Sequence, residues 1–323
     1  MNRAAKEFSN HWKFASRTFP IIGTLAAIFL IAACGTVKKF EATGPVTDAQ
    51  IAQSVKSAQA AYQSGNFLRA AKCYELALAR ARALDDSAEI ARNAYNAAAC
   101  HLRSGHPSSA SPLLVEAGRE FERAGMDREP VLVLQAMTAS ALGQAAEATA
   151  LASNAFAAAK SDVAQLDVLL VQLDLAVQHG DLDEAQRLLK MAQRRAEKSH
   201  SATMNARVAA AEGKLLQKSD AGKAAGKFDQ AADGWRTAGN IREMADNLRA
   251  AGAAWQAAKK SADAADRFYR AARSYFGQND RVAALACIDE AFKAADEAKS
   301  AELRGQIAAL FEQIKKSVEP VTE

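Results

Sequence analysis

The chain has 323 residues, 50% of them hydrophobic and 24% charged, with a net charge of +4 and a mean hydropathy of −0.18. That is enough apolar material for a sizeable core, and the balance is far from that of a disordered or fully membrane-embedded chain. The positive excess is concentrated at the start: in residues 1–33 four basic residues stand against Glu7, giving +3 and leaving only +1 for the rest. With no later basic patch interleaved with aromatics, binding to nucleic acid is excluded as a function class.

The first element is a short export-like segment. Arg3, Lys6, Lys13 and Arg17 precede an apolar run from Phe19 to Ala33, which closes on Leu30-Ile31-Ala32-Ala33-Cys34-Gly35. Positive charge, a brief hydrophobic stretch and then small residues is the layout of a secretory signal. A cysteine directly after Ile-Ala-Ala resembles the lipobox of bacterial lipoproteins. That resemblance implies that Cys34 carries acyl chains, palmitate among them, and becomes the mature N-terminus. The stretch also allows an uncleaved anchor, although 15 residues interrupted by Pro20 and Gly23 fall short of the roughly 20 that span a bilayer. Gly35 after the cysteine implies sorting to the periplasmic face of an outer membrane rather than retention at the inner one.

Residues 34–46 follow as a tether: Gly35 to Val46 has no helical period and includes Gly44 and Pro45. Its 12 residues reach roughly 40 Å when extended.

From residue 47 to 317 the sequence reads as helix throughout. No proline occurs between Pro130 and Pro320, so nothing there forbids helix on that ground. Pro112 and Pro130 are expected in first turns, where a missing N–H costs little. Breaks are expected near Gly65, Asp85, Gly105, Gly125, Gly143, Asp162, Gly180, Ser199, Ser219, Gly239, Lys260, Gly277 and Lys299. Several pair a glycine past one helix with an Asp or Asn opening the next. Residues 318–323 form a tail.

The second helix of each pair repeats a motif: Ala70-Tyr74-Ala77, Ala110-Leu114-Ala117, Ala148-Ala152-Ala155, Ala185-Leu189-Ala192, Ala224-Phe228-Ala231 and Ala264-Phe268-Ala271. The leading alanines are 40, 38, 37, 39 and 40 residues apart. Small-x₃-large-x₂-small sits on one helical face, where a neighbouring helix can approach at the alanines. Together with Gly180-Asp181-Leu182-Asp183-Glu184-Ala185, this resembles the tetratricopeptide repeat family. The resemblance implies an all-α, right-handed superhelix of about seven stacked hairpins. The period exceeds that family's 34 residues and its consensus tryptophan and proline are missing. Ala284-Ile288-Ala291, only 20 residues after the previous anchor, reads as a phase slip near a C-terminal cap. Phe121, Leu170, Leu189, Phe228, Phe268, Phe292 and Phe311 are expected in the core.

Cys73, Cys100 and Cys287 remain after Cys34. Cys73 and Cys100 fall on neighbouring helices, so they either pair or lie buried as small hydrophobes. No HExxH, paired CxxC, GxSxG or phosphate-cradling loop occurs, so neither enzyme, metal nor cofactor is expected. Carried over from the family, the register places Val55, Gln59, Tyr62 and Gln63, then Arg92, Tyr95 and Arg103, then Val133, Met137 and Ser140 on the concave groove. Asp167, Leu170, Asp174 and Gln178 follow, then Arg249 and Gln256. Tyr62, Arg92, Tyr95, Arg103, Met137 and Asp174 are the candidate partner-binding residues, since Tyr and Arg most often carry interface energy. The Lys/Asn clamp of chaperone-binding repeats is not reproduced, because Tyr95 and Ala99 stand in its place. The expected function is a lipid-anchored scaffold that holds an envelope protein or peptide, in outer-membrane protein insertion, secretin or pilus piloting, or regulation of peptidoglycan synthases. The alternative is an envelope ligand-binding protein or enzyme with an unrecognised site.

Overall fold

A computed structural model of the chain describes residues 48–317; the signal-like segment, Cys34 and the tail lie outside the described residues. Within them are 14 helices and no strand. They are α1 (Ala49–Gln63), α2 (Phe67–Ala83), α3 (Ser87–Arg103), α4 (Pro107–Arg123), α5 (Glu129–Ala141), α6 (Ala145–Ala158) and α7 (Asp162–His179). Then come α8 (Leu182–Ser199), α9 (Ala202–Leu216), α10 (Ala221–Thr237), α11 (Ile241–Ala257), α12 (Ser261–Gly277), α13 (Arg281–Glu297) and α14 (Ala301–Lys316). Each expected break falls at or within a few residues of a turn or helix end, and consecutive hairpins stack in chain order as a tetratricopeptide-like solenoid.

Turn chemistry makes the alternation rigid. Asp48, Asn66, Asp86, Asp181, Asp220, Asn240 and Asp280 each cap a helix N-terminus by accepting a backbone N–H, which satisfies donors the helix cannot. A residue within two positions of the helix end is left-handed at six glycines, among them Gly65 and Gly143, and also at Asp85, His200, Lys259, Asn279 and Lys299. The same turn therefore forms with and without glycine.

The six repeated motifs are the stacking surface. Both alanines of every motif are fully buried, and the residue between them, large in all but Ala148-Ala152-Ala155, is buried each time. In two repeats the partner helix supplies a glycine: the Phe268 ring lies 2.9 Å from where a Cβ on Gly252 would sit, and Phe228 lies 3.0 Å from that of Gly213. Arg80–Asp48 and Arg195–Asp162 tie the two helices of a hairpin, while Arg82–Glu116, Arg123–Asp85 and Arg267–Asp229 cross from one hairpin to the next.

Three expectations change. Ala284-Ile288-Ala291 is fully buried on α13, the first helix of the seventh hairpin. The hairpin alternation therefore runs on without a slip, and the motif has moved to the other helix of its pair. Phe292 and Phe311 are only partly buried, edge-on to each other at 6.3 Å, because the described stack ends at α14 and no further hairpin covers them. Pro112 lies inside α4 rather than in its first turn, since that helix already begins at Pro107. Both Pro112 and Ser108, whose carbonyl loses its partner, are exposed. Cys73 is a half-buried free thiol, Cys287 is a buried one, and Cys100 is buried on α3.

Candidate functional site: a concave face that closes on itself

The polar residues that are buried without belonging to an apolar cluster fall on the first helices of the second to sixth hairpins, apart from Asp280 at the N-cap of α13. Glu89, Asn93, Asn96 and Arg103 lie on α3, Asp167 on α7, Arg207 on α9, and Glu243, Asp246 and Asn247 on α11. Such groups are retained in a fold only when partners satisfy them. Arg207 meets Asp167 from α9 to α7, and Lys214 meets Asp174 at 3.3 Å between the same helices.

A long-range contact joins α3 to α11. Arg103, at the last turn of α3 with its side chain 3% exposed, faces Glu243 and Asp246, both at 3.5 Å. It also donates to the Tyr62 hydroxyl at 3.1 Å and lies over the Phe67 ring at 4.7 Å. From the opposite side, Arg242 lies 5.4 Å from the same Phe67 ring and 4.9 Å from the Tyr275 ring, and it meets Asp280 at 2.5 Å. Tyr275 donates to Asp246 at 2.5 Å. Gly65, at φ +74°, comes so close that a Cβ there would fall on the Asp280 carboxylate and 2.6 Å from Arg242 Nη1.

The first two hairpins are thus clasped to the sixth, about 140 residues away. Beside the clasp opens a cleft of about 880 Å³, lined by Tyr62, Gln63, Arg103, Arg242, Glu243, Gln278 and Asn279 among others. Burial sets the protonation there. Desolvation raises Glu243 above the ordinary carboxylate range although Arg103 pulls it down, and burial with Asp246 alongside holds Tyr275 well above the usual phenol.

Of the six candidate residues, the structure brings together Tyr62 and Arg103 only. Arg92 pairs within its own helix with Glu89 at 2.7 Å. Tyr95, 2% exposed, turns toward Phe121 on α4 with ring centroids 6.1 Å apart. Met137 is buried in the same core cluster, and Asp174 is engaged by Lys214 and Gln178. Sequence reasoning missed Phe67, Arg242, Glu243, Asp246, Tyr275 and Asp280. They share no local motif, and only closure of the superhelix assembles them. Among the described residues no three His, Cys, Asp or Glu converge as metal ligands, and no helix is long and apolar enough to cross a membrane.

The fold and this face define the class: a helical-repeat solenoid of tetratricopeptide-like hairpins. No protein-family model matches the sequence, and neither does any curated protein. Among solved structures, BtubC (BKLC) from P. vanneervenii is similar with a TM-score of 0.46 and 11% identity, covering 87% of this chain and 96% of that one. The APC/C hetero-tetramer Cut9–Hcn1 is similar at 0.41 and 12%, covering 98% of this chain and 67% of that one.

Proposed function

We propose that the chain is a non-enzymatic scaffold that holds a protein partner and is tied to a membrane through acylated Cys34, at the periplasmic face of an outer membrane. The lipobox-like Leu30–Gly35 stretch, set before a stack of hairpins, carries this reading. Stacked repeats build one continuous surface, larger than any single hairpin offers, and the usual use of such a surface is binding another chain. Envelope assembly is the setting: outer-membrane protein insertion, secretin or pilus piloting, or control of a peptidoglycan synthase.

Two measurements test it. Cys34→Ala is expected to move the protein from the membrane to the soluble envelope fraction and to end incorporation of labelled fatty acid. A wild type that takes up no label refutes the anchor. Cross-linking in intact cells is expected to yield one dominant protein partner; a bound small molecule with no protein partner refutes the scaffold.

A further inference from the structure

The clasp differs in kind from the rest of the fold. Every stacking interface rests on an apolar cluster, yet no cluster contains residues from both sides of the clasp. The clusters that include α1–α3 end at Leu175, and those that include α11 begin at Ala224. What crosses is charge and aromatic face: Arg103 to Glu243 and Asp246, and Arg242 to Phe67. At 3.5 Å those ion pairs are longer than a well-formed charge-assisted bond of about 2.8 Å. A contact without apolar burial can be exchanged for another of the same chemistry, because little is lost beyond the polar partners themselves.

Glu243 and Asp246 stand one turn apart on α11, so Arg103 is met by two carboxylates from one helix face. Tyr62 and Phe67 complete the receiving side with a hydroxyl acceptor and a ring under the guanidinium.

We propose that Arg103, Tyr62 and Phe67 form a docking site for a partner helix bearing two carboxylates one turn apart, and that α11 fills this site as a built-in ligand. Release of α11 is then the step that opens the concave face to a partner. The middle of the chain supplies the freedom to open. Hairpins pack least closely on one another at α4–α5, α6–α7 and α8–α9, and the α6–α7 turn passes through extended Ala159 rather than a tight left-handed residue. The proposal deepens the scaffold reading by naming the chemistry of the partner. It is tested with purified chain alone, so its failure leaves the membrane and cross-linking results standing.

The experiment uses spin labels at Gln63→Cys and Asn279→Cys, two exposed positions on the cleft wall, with Cys73 replaced by Ala. The probe is a synthetic peptide of residues 241–257. The labelled chain is expected to show a short distance that lengthens as excess peptide displaces α11. A Glu243→Gln/Asp246→Asn variant, which takes both carboxylates away from Arg103, is expected to show the longer distance without peptide. It should also bind the peptide at least about tenfold more tightly than wild type, because a self-occupied site lowers apparent affinity by its open fraction. Adding Arg103→Gln to that variant is expected to abolish peptide binding. An unchanged label distance with excess peptide, or equal peptide affinity with and without Arg103, overturns the proposal.

Discussion

Gly65 gives the sharpest test of the closed superhelix, because a second glycine serves as its control. Gly65 and Gly143 occupy the same left-handed turn position, at φ +74° and +76°. Alanine at either costs the backbone strain of a left-handed L-residue, about 1 kcal/mol. The surroundings differ. A Cβ on Gly143 meets nothing within 4 Å, whereas one on Gly65 strikes the Asp280 carboxylate and the Arg242 guanidinium. Overpacking typically adds 1–3 kcal/mol, at about that scale here unless the clasp gives way. Gly65→Ala is therefore expected to lose either about 2–4 kcal/mol in urea denaturation or about 1 kcal/mol together with a larger radius in solution scattering. Gly143→Ala is expected to lose only about 1 kcal/mol at unchanged radius. Equal destabilisation and equal radii in the two variants would refute the reasoning.

Two further outcomes follow from burial. Glu243 is faced by Arg103 from α3 and by Arg242 and Asp246 on its own helix, and desolvation dominates, raising its carboxyl. A raised acid contributes stability that is complete below the ordinary glutamate value near 4.5 and is lost as pH climbs through the raised one. Glu243→Gln, which has no carboxyl to ionise, is accordingly expected to lose less stability than wild type between pH 4 and pH 7 in pH-resolved denaturation; a variant whose stability falls as steeply as wild type over that window contradicts this. Gly252→Ala, which presses a methyl onto the Phe268 ring, is expected to cost about 1–3 kcal/mol and Phe268→Ala about 3–5 kcal/mol. Thermal melts in which Gly252→Ala matches wild type would show that the ring is free to move aside.

The hairpins were legible because their information is local. A left-handed residue and an Asp or Asn cap sit within three positions of each other, as at Gly180-Asp181 and Gly239-Asn240, and the alanine anchors repeat at one-hairpin spacing. Even the turns at Asp85, Lys259 and Lys299 could be placed without glycine, from the polar residues beside them. The groove was legible only in part. On α3 nearly every residue from Glu89 to Arg103 is buried, so counting positions along the helix could not separate the face toward α4 from the face toward the axis. Tyr95 therefore went to the core. Arg103 and Tyr62 were picked out by residue type as partner-binding candidates, but Glu243 and Asp246 meet Arg103 only after the stack has curved through more than three intervening hairpins. No spacing in the sequence encodes that.

The closed ring of hairpins is tested most directly by intramolecular cross-linking of one cysteine pair against a control pair. Gln63→Cys with Asn279→Cys spans the clasp, and Ser140→Cys with Gln178→Cys spans neighbouring hairpins, where the native side chains are hydrogen-bonded at 2.8 Å. With a short bismaleimide, both pairs are expected to yield the faster-migrating cyclised chain on a denaturing gel. Cross-linking at 140/178 with none at 63/279 would mean that the superhelix is open, and the clasp would fall with it.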